Sequence, residues 1–348
     1  MAAVPDSIMT AIEHLPQVAE VSDLHPGNVA DAVIGRTEPL VLRGFCARWP
    51  AVVAGLDSPQ RAADYLRACY SGVPISACYG GAETDGRVFY NEDMSGFNYR
   101  GSREDLNKVL DDILASADDV EPPMIYMAST DVGHWFPGFA AEHRAGIEQL
   151  SPIGFLWLGN RVRIAAHYDF PNNLACVIAG RRRFTLFPPE QIANLYPGPL
   201  EFAPGGQEIS LVDLHKPDLE RFPRFRQAIA SAQVADLEPG DALFLPGMWW
   251  HHVESLDALN VLYTHWWSEF PTYMGRPMNA LMHSILSVRD LPVQQRQAWK
   301  ALFDYYVFDA GENPADHIAE SARGVQARPL SEMAARQLRA ELLNRLKR

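Results

Sequence analysis

The sequence predicts a mainly β fold with flanking helices, built around a sandwich or barrel of the jelly-roll kind. Three observations carry this. From about residue 123 to 270 the chain runs as short apolar segments broken by Gly, Pro and Asn, the texture of many short strands joined by turns. On either side of that region apolar residues recur at helical spacing. The composition, 47% hydrophobic with 16 Phe, 12 Tyr and 8 Trp in 348 residues, is ample for a large core and argues against disorder.

The elements follow in order. Residues 1 to about 120 are mixed α/β. "EPLVLRGF" reads as a short buried strand ending at Gly44, "RVFYNE" as another, and "AADYLRACY" and "REDLNKVLDDILASADD" as helices. The strand-like runs are then "PPMIYMAS", "GFLWLG", "NLACVIAG", "RFTLFPP", "QVADLEPGD", "ALFLPG" and "NVLYTHWW". Pro239 and Gly240 turn the chain before Ala242 to Leu245 enter the sheet. Past residue 275, "ALMHSILSV" and "QQRQAWKALFDYYVF" are helical around a break at Pro292. The closing helix, "MAARQLRAELLNRLKR", carries Leu338, Leu342 and Leu346 as one narrow apolar stripe. That stripe packs on its own domain or joins two copies into a homodimer. The expected division is a domain over 1–275, with its β core at about 123–270, and a helical region over 276–348.

Bulk properties remove several function classes. A formal charge of -13, from 43 acidic and 30 basic residues, gives no support for nucleic-acid binding. Cys46, Cys69, Cys78 and Cys176 form no CxxC pair and no regular framework, as expected of free thiols in a reducing compartment. "MAAVPDSIMTAIEHLPQV" lacks a basic region followed by a long apolar run. No stretch of about 18 apolar residues occurs. The expectation is a cytoplasmic protein without membrane association.

Two stretches carry chemistry. In "AAHYDFPNN", His167 and Asp169 stand at i and i+2, so on a strand both side chains leave one face. A non-haem iron(II) oxygenase site needs two imidazoles and one carboxylate on one face of an octahedron, with the opposite positions open. The second imidazole can come from a strand returned beside the first. "PGMWWHHVESL" supplies His251 and His252 about eighty residues downstream. Adjacent strand residues face opposite ways, so one of the two looks inward and the other does not. A His-x-Asp triplet alone is weak; the strand-rich context and the two long stretches "GRRRFTLFPPEQ" and "PGDALFLPGMWWHHVESL" strengthen it.

In "HYDFPNNL", "GRRRFTLFPPEQIANLYPGPL", "VDLHKPDLERFPRF", "PGDALFLPGMWWHHVES" and "THWWSE", with "EPLVLRGFCARWPAV" at the N-terminal side, the chain resembles the JmjC (cupin-like) 2-oxoglutarate oxygenases. It is most similar to the branch containing the asparaginyl hydroxylase that acts on hypoxia-inducible factor. The likeness covers residues 15 to about 275. It implies a double-stranded β-helix, the cupin-like jelly roll, holding Fe(II) and 2-oxoglutarate. The family's distal ligand directly follows an aromatic residue, in the setting aromatic-His-x-Val. By that pattern His167, Asp169 and His251 are the metal ligands, and His252 points away, toward solvent or a supporting polar partner. Tyr126 falls where the family holds the co-substrate's far carboxylate, and Asn173 falls on an asparagine near the co-substrate. Arg182 stands where a lysine is usual, an exchange of a point charge for a planar fork. Arg181 and Arg183 read as a solvated hairpin edge. The chain departs from the pattern at Ile164, where a Thr is frequent, and at His265, where an Asn precedes the closing aromatic pair; His265 is expected at the co-substrate. Trp267 is either a cavity wall or a core residue.

The resemblance implies oxidative decarboxylation of 2-oxoglutarate coupled to hydroxylation of a protein or peptide side chain or of a small molecule, with lysine demethylation a related possibility. The departures around the co-substrate motivate a different class, a metal-binding cupin that senses or binds without turnover. A third reading is a cupin isomerase or hydrolase using another divalent metal.

Overall fold

The computed structural model describes residues 6–271, 273–308 and 315–347. Residues 1–5, which begin the stretch read above for a leader, lie outside them. The chain divides into two compact units, Met1–Ser268 and Glu269–Arg348.

The described residues of the first unit form fourteen strands. They are β1 (Glu20–Val21), β2 (Leu40–Leu42), β3 (Ile75–Gly80), β4 (Arg87–Val88), β5 (Arg100–Glu104), β6 (Met124–Asp131), β7 (Ile153–Gly159), β8 (Arg163–Tyr168), β9 (Asn172–Ala179), β10 (Arg182–Phe187), β11 (Gln233–Leu237), β12 (Ala242–Leu245), β13 (Trp250–Ser255) and β14 (Asn260–Trp267). The last eight make the double-stranded β-helix. β12-β9-β14-β7 is the heart of one sheet and β11-β10-β13-β8 of the other, so the chain changes sheet at nearly every connection.

The N-terminal part is woven into both sheets. β1 and β2 extend the first sheet beyond β12, and β6, β3 and β5 extend it beyond β7, while β4 pairs with β8 in the second. β5 ends the first sheet with Arg100, Arg103 and Glu104 along a mostly exposed edge. Charge there blocks pairing with other chains, and it also hides the strand from hydrophobic patterning.

Helices cover the outer face of the first sheet. Pro50–Asp57 and Pro59–Cys69 both start with Pro in the first turn, and Ser58 accepts the Arg61 N–H at the start of the second. Leu106–Ala115 is capped by Asp105, which accepts the Asn107 N–H. It buries Leu106, Val109, Leu110 and Ile113, one helical face. These meet the outward residues of β14, Val261, Tyr263 and Trp267, in the largest apolar cluster. Between the sheets, Val177, Phe184, Leu186, Leu243, Leu245 and Leu262 form a second core. Burying each such side chain contributes about 1.5–3 kcal/mol. Phe184, Val253 and Leu262 belong both to that core and to the wall of a cavity in the β-helix.

The second unit contains the helices Pro277–Ser287, Val293–Phe303 and Glu332–Leu346. Pro292 caps the second of these, and the Ser331 hydroxyl accepts the Ala334 N–H at the start of the third. Along the third helix Leu338 is half-buried, whereas Leu342 and Leu346 are exposed. Among the described residues no helix is long and apolar enough to cross a membrane.

Candidate metal centre

β8 and β13 run antiparallel with His251 opposite His167 and Trp250 opposite Tyr168. Two residues further on, Val253 lies opposite Ile164, so β8 carries one extra residue, a β-bulge. The bulge matters for the site. Ile164 and His167 are three apart and would face opposite ways on a regular strand; with the bulge both line the cavity. Asp169 lies one residue past the end of β8. The turn before β13 holds it in place. The Met248 N–H donates to the Asp169 carbonyl at 2.7 Å, and the Gly247 N–H donates to Asn172 Oδ1 at 2.9 Å. A Cβ on Gly247 would sit 2.4 Å from the Phe170 carbonyl oxygen, so only glycine lets the two segments approach. The Pro-Gly turn therefore docks the segment leading to His251 onto the segment carrying Asp169.

His167, Asp169 and His251 bring their ligand atoms within 4.8 Å of one another. The two imidazole rings are 4.2 Å apart, and His251 Nε2 lies 3.5 Å from Asp169 Oδ2. His167 Nδ1 is 2.9 Å from the Ala165 carbonyl, and His251 Nδ1 is 3.0 Å from the Trp249 carbonyl. A carbonyl only accepts, so each Nδ1 carries the proton and each Nε2 lone pair faces the centre. Burial, reinforced by His251, pushes His167 down to about 4, which keeps it a neutral ligand. Burial pushes the Asp169 carboxyl up, but the adjacent His251 and His167 outweigh it and hold the group below the ordinary carboxylate range. Gln207 Nε2 donates to Asp169 Oδ1 at 3.4 Å. The donor set of two neutral imidazoles and one carboxylate suits iron(II) with positions left open.

The cavity beside this centre has a volume of about 330 Å³. Tyr126, Asn173 and Arg182 line it. Arg182 is 3% exposed, and its Nε and Nη2 have no hydrogen-bond partner. Burial pushes the guanidinium down to about 10, while Tyr126 acts in the opposite direction; it stays cationic at neutral pH. A buried, uncompensated cation calls for an anion. Asn173 Oδ1 and Trp266 Nε1 are also buried without partners, so the cavity offers unmet polar groups to an organic acid. Arg182 stands four residues along β10 from Leu186, which pairs with His251. That is about 13 Å at the strand rise.

The family model described as a cupin-like domain matches residues 26–273. The chain belongs to the cupin-like (JmjC) family. Its members are generally iron(II)- and 2-oxoglutarate-dependent oxygenases. The chain is 36% identical over 132 residues to Lysine-specific demethylase JMJ31 of Arabidopsis thaliana, a match covering 36% of this chain and 24% of that protein. It is 34% identical over 149 residues to HSPB1-associated protein 1 of Homo sapiens, covering 41% and 30%. It is 26% identical over 233 residues to tRNA wybutosine-synthesizing protein 5 of Gallus gallus, covering 62% and 64%. The chain thus spans less than two thirds of the length of these relatives.

Within this cupin-like fold, some residues singled out from the sequence do not reach the cavity. His265 is a correction. Along β14 the residues Leu262, Thr264 and Trp266 line the cavity, so His265 faces the helical layer. There its Nδ1 lies 3.3 Å from the Leu174 carbonyl, and its ring packs 4.2 Å from Tyr263 and 6.0 Å from Trp49. Burial pushes it down to about 4, so it is a neutral core residue. Trp267 packs on Phe244 in that same outer core. Arg181 and Arg183 form ion pairs with Asp257 and Asp236 at the hairpin surface. His252 is buried on the far face of β13 rather than solvated. Sequence reasoning missed Thr264, whose Oγ1 accepts the Trp157 indole N–H at 2.9 Å, and Trp266 and Gln207. For the β14 pair, period-two alternation counted from Leu262 was the available signal.

Proposed function

We propose that the protein is an Fe(II)- and 2-oxoglutarate-dependent hydroxylase acting on a side chain of a protein or peptide, or on a small molecule. One observation carries the reading: the buried, unpartnered Arg182 guanidinium in the same cavity as His167, Asp169 and His251. His167 and His251 would hold iron through Nε2 and Asp169 through its carboxylate, oriented by Gln207. Arg182 would receive the far carboxylate of 2-oxoglutarate with two parallel N–H donors. Tyr126, Asn173 and Trp266 would fix the rest of the co-substrate, and Phe184, Val253 and Leu262 exclude water from it. When bound, iron and 2-oxoglutarate supply the oxygen activation that couples oxidative decarboxylation to C–H hydroxylation.

A net charge of -13 favours a protein, peptide or small-molecule substrate over the tRNA named for the chicken relative. The exposed Leu342 and Leu346 of the last helix support a homodimer made through the C-terminal helices; sedimentation of the full chain, with Leu342→Lys as comparison, tests it. The hydroxylase reading is tested by incubating iron-loaded protein with 2-oxoglutarate in air and measuring succinate. Succinate formed by wild type and lost in His251→Ala supports it. No succinate from wild type with iron bound would transfer the conclusion to a metal-binding cupin without turnover, which the apolar Ile164 in the cavity favours.

A further inference from the structure

The strand that carries His251 presents a second set of ligating side chains on its other face. His252 and Glu254 stand at i and i+2 on β13, and His215 reaches them from the segment between Leu195 and Phe225. Their ligand atoms all lie within 4.8 Å of one another. His215 Nε2 is 2.7 Å from Glu254 Oε2, and His252 Nε2 is 3.6 Å from Glu254 Oε1. Two atoms bound about 2.0–2.1 Å from one tetrahedral ion are about 3.3 Å apart, a value these separations bracket.

His252 is what a hydrogen-bonded surface pair does not explain. It is 3% exposed, and neither ring nitrogen has a hydrogen-bond partner. An unmet polar atom in the interior is costly, and Nε2 is aimed at Glu254. A cation on that nitrogen would use its lone pair. The surrounding charge permits one. Arg163 is paired with Asp85 and Asp213, Arg87 with Asp213, and Arg183 with Asp236, so the nearby guanidinium groups are matched and Glu254 is the additional anion.

We propose that His215, His252 and Glu254 form a second divalent-metal site, separate from the centre in the cavity. Two imidazoles and a carboxylate at near-tetrahedral separations accept an ion of the zinc class. His215 is exposed, so the fourth position is open to water. The site ties the segment carrying His215 to β13. That segment continues back to Gln207 and Ile209, which wall the cavity, so an ion here stiffens one wall of the cavity. The proposal is independent of the hydroxylase reading.

The experiment is a Zn(II) titration of metal-stripped full-length protein against a chromophoric chelator, with melting curves alongside. Wild type is compared with His215→Ala, the isosteric Glu254→Gln, His167→Ala and the His167→Ala/His215→Ala pair. His215→Ala, an exposed position, is expected to bind one equivalent fewer than wild type. Glu254→Gln is expected to lose the same equivalent, and His167→Ala to keep it with a Zn(II)-dependent rise in melting temperature that the pair lacks. Equal stoichiometry in wild type and His215→Ala, or retention of the equivalent in the pair, overturns the proposal. Failure of the cavity site would show separately, as no loss of Zn(II) in His167→Ala.

Discussion

Arg182→Met should weaken co-substrate binding while making the free protein more stable. In the native fold the guanidinium is buried with Nε and Nη2 unpartnered. Each of these N–H groups, meeting a carboxylate, is worth about 1.5–3 kcal/mol. Losing about 3 kcal/mol across both corresponds to a dissociation constant raised on the order of 100-fold. Methionine keeps the apolar stem and removes the uncompensated charge, which relieves a penalty of about 1–3 kcal/mol in the free protein. At roughly 2–4 °C per kcal/mol for a domain of this size, the melting temperature rises by several degrees. The assay is calorimetric titration of iron-loaded protein with 2-oxoglutarate under argon, with thermal melts recorded without it. Affinity unchanged within about twofold would refute the assignment of Arg182 to the co-substrate. A lowered melting temperature with intact affinity would make Arg182 a structural residue.

Three further perturbations separate parts of the account. Ile164→Thr places a hydroxyl in the cavity wall, and 2-oxoglutarate affinity should rise by about 1 kcal/mol, roughly fivefold; titration showing weaker binding would contradict this. Gly247→Ala puts a methyl 2.4 Å from the Phe170 carbonyl. It should cost about 1–3 kcal/mol of stability and lower iron affinity, read by melting and by metal retention after desalting. His143 is buried neutral, with Nδ1 donating to the Phe139 carbonyl and Nε2 accepting the Ala51 N–H. Burial pushes its pKa below the ordinary 6.5. The unfolded chain therefore takes up the proton first, and the stability His143 contributes is complete above about 6.5 and lost as pH falls toward the lowered native value. Melting curves between neutral and mildly acid pH should fall less steeply for His143→Gln than for wild type; parallel curves would remove His143 from the acid response.

Much of the β-helix was legible because its strands are short, apolar and punctuated by turn residues such as Pro239-Gly240 and Pro246-Gly247. The edge strand β5 was not, since its exposed charges carry no burial pattern. The β8 bulge was not either: an extra residue in a pairing register leaves no mark in one strand's sequence, yet it sets Ile164 beside His167. "NVLYTHWW" shows no apolar–polar alternation because β14 is covered on both faces, by the helical layer and by the opposite sheet, so its period of two gives two faces without saying which one lines the cavity. His265 was therefore placed at the cavity, which Thr264 lines instead. The spacing of His167 and Asp169 offered a pair on one face but was weak without its strand-rich context, and the choice between His251 and His252 rested on resemblance until the pairing of β13 with β8 gave it a geometric cause. Glu254 stands two residues from His252 on the same strand, but His215 comes from a segment distant in sequence, and nothing local announced it.

The most direct measurement is the visible absorption that iron(II) gives when a 2-oxo acid chelates it, recorded anaerobically with 2-oxoglutarate for wild type, His251→Ala and His252→Asn. The account predicts the band in wild type and in His252→Asn and its absence in His251→Ala. A wild-type protein that holds iron without giving the band, or a band that survives in His251→Ala, would contradict it.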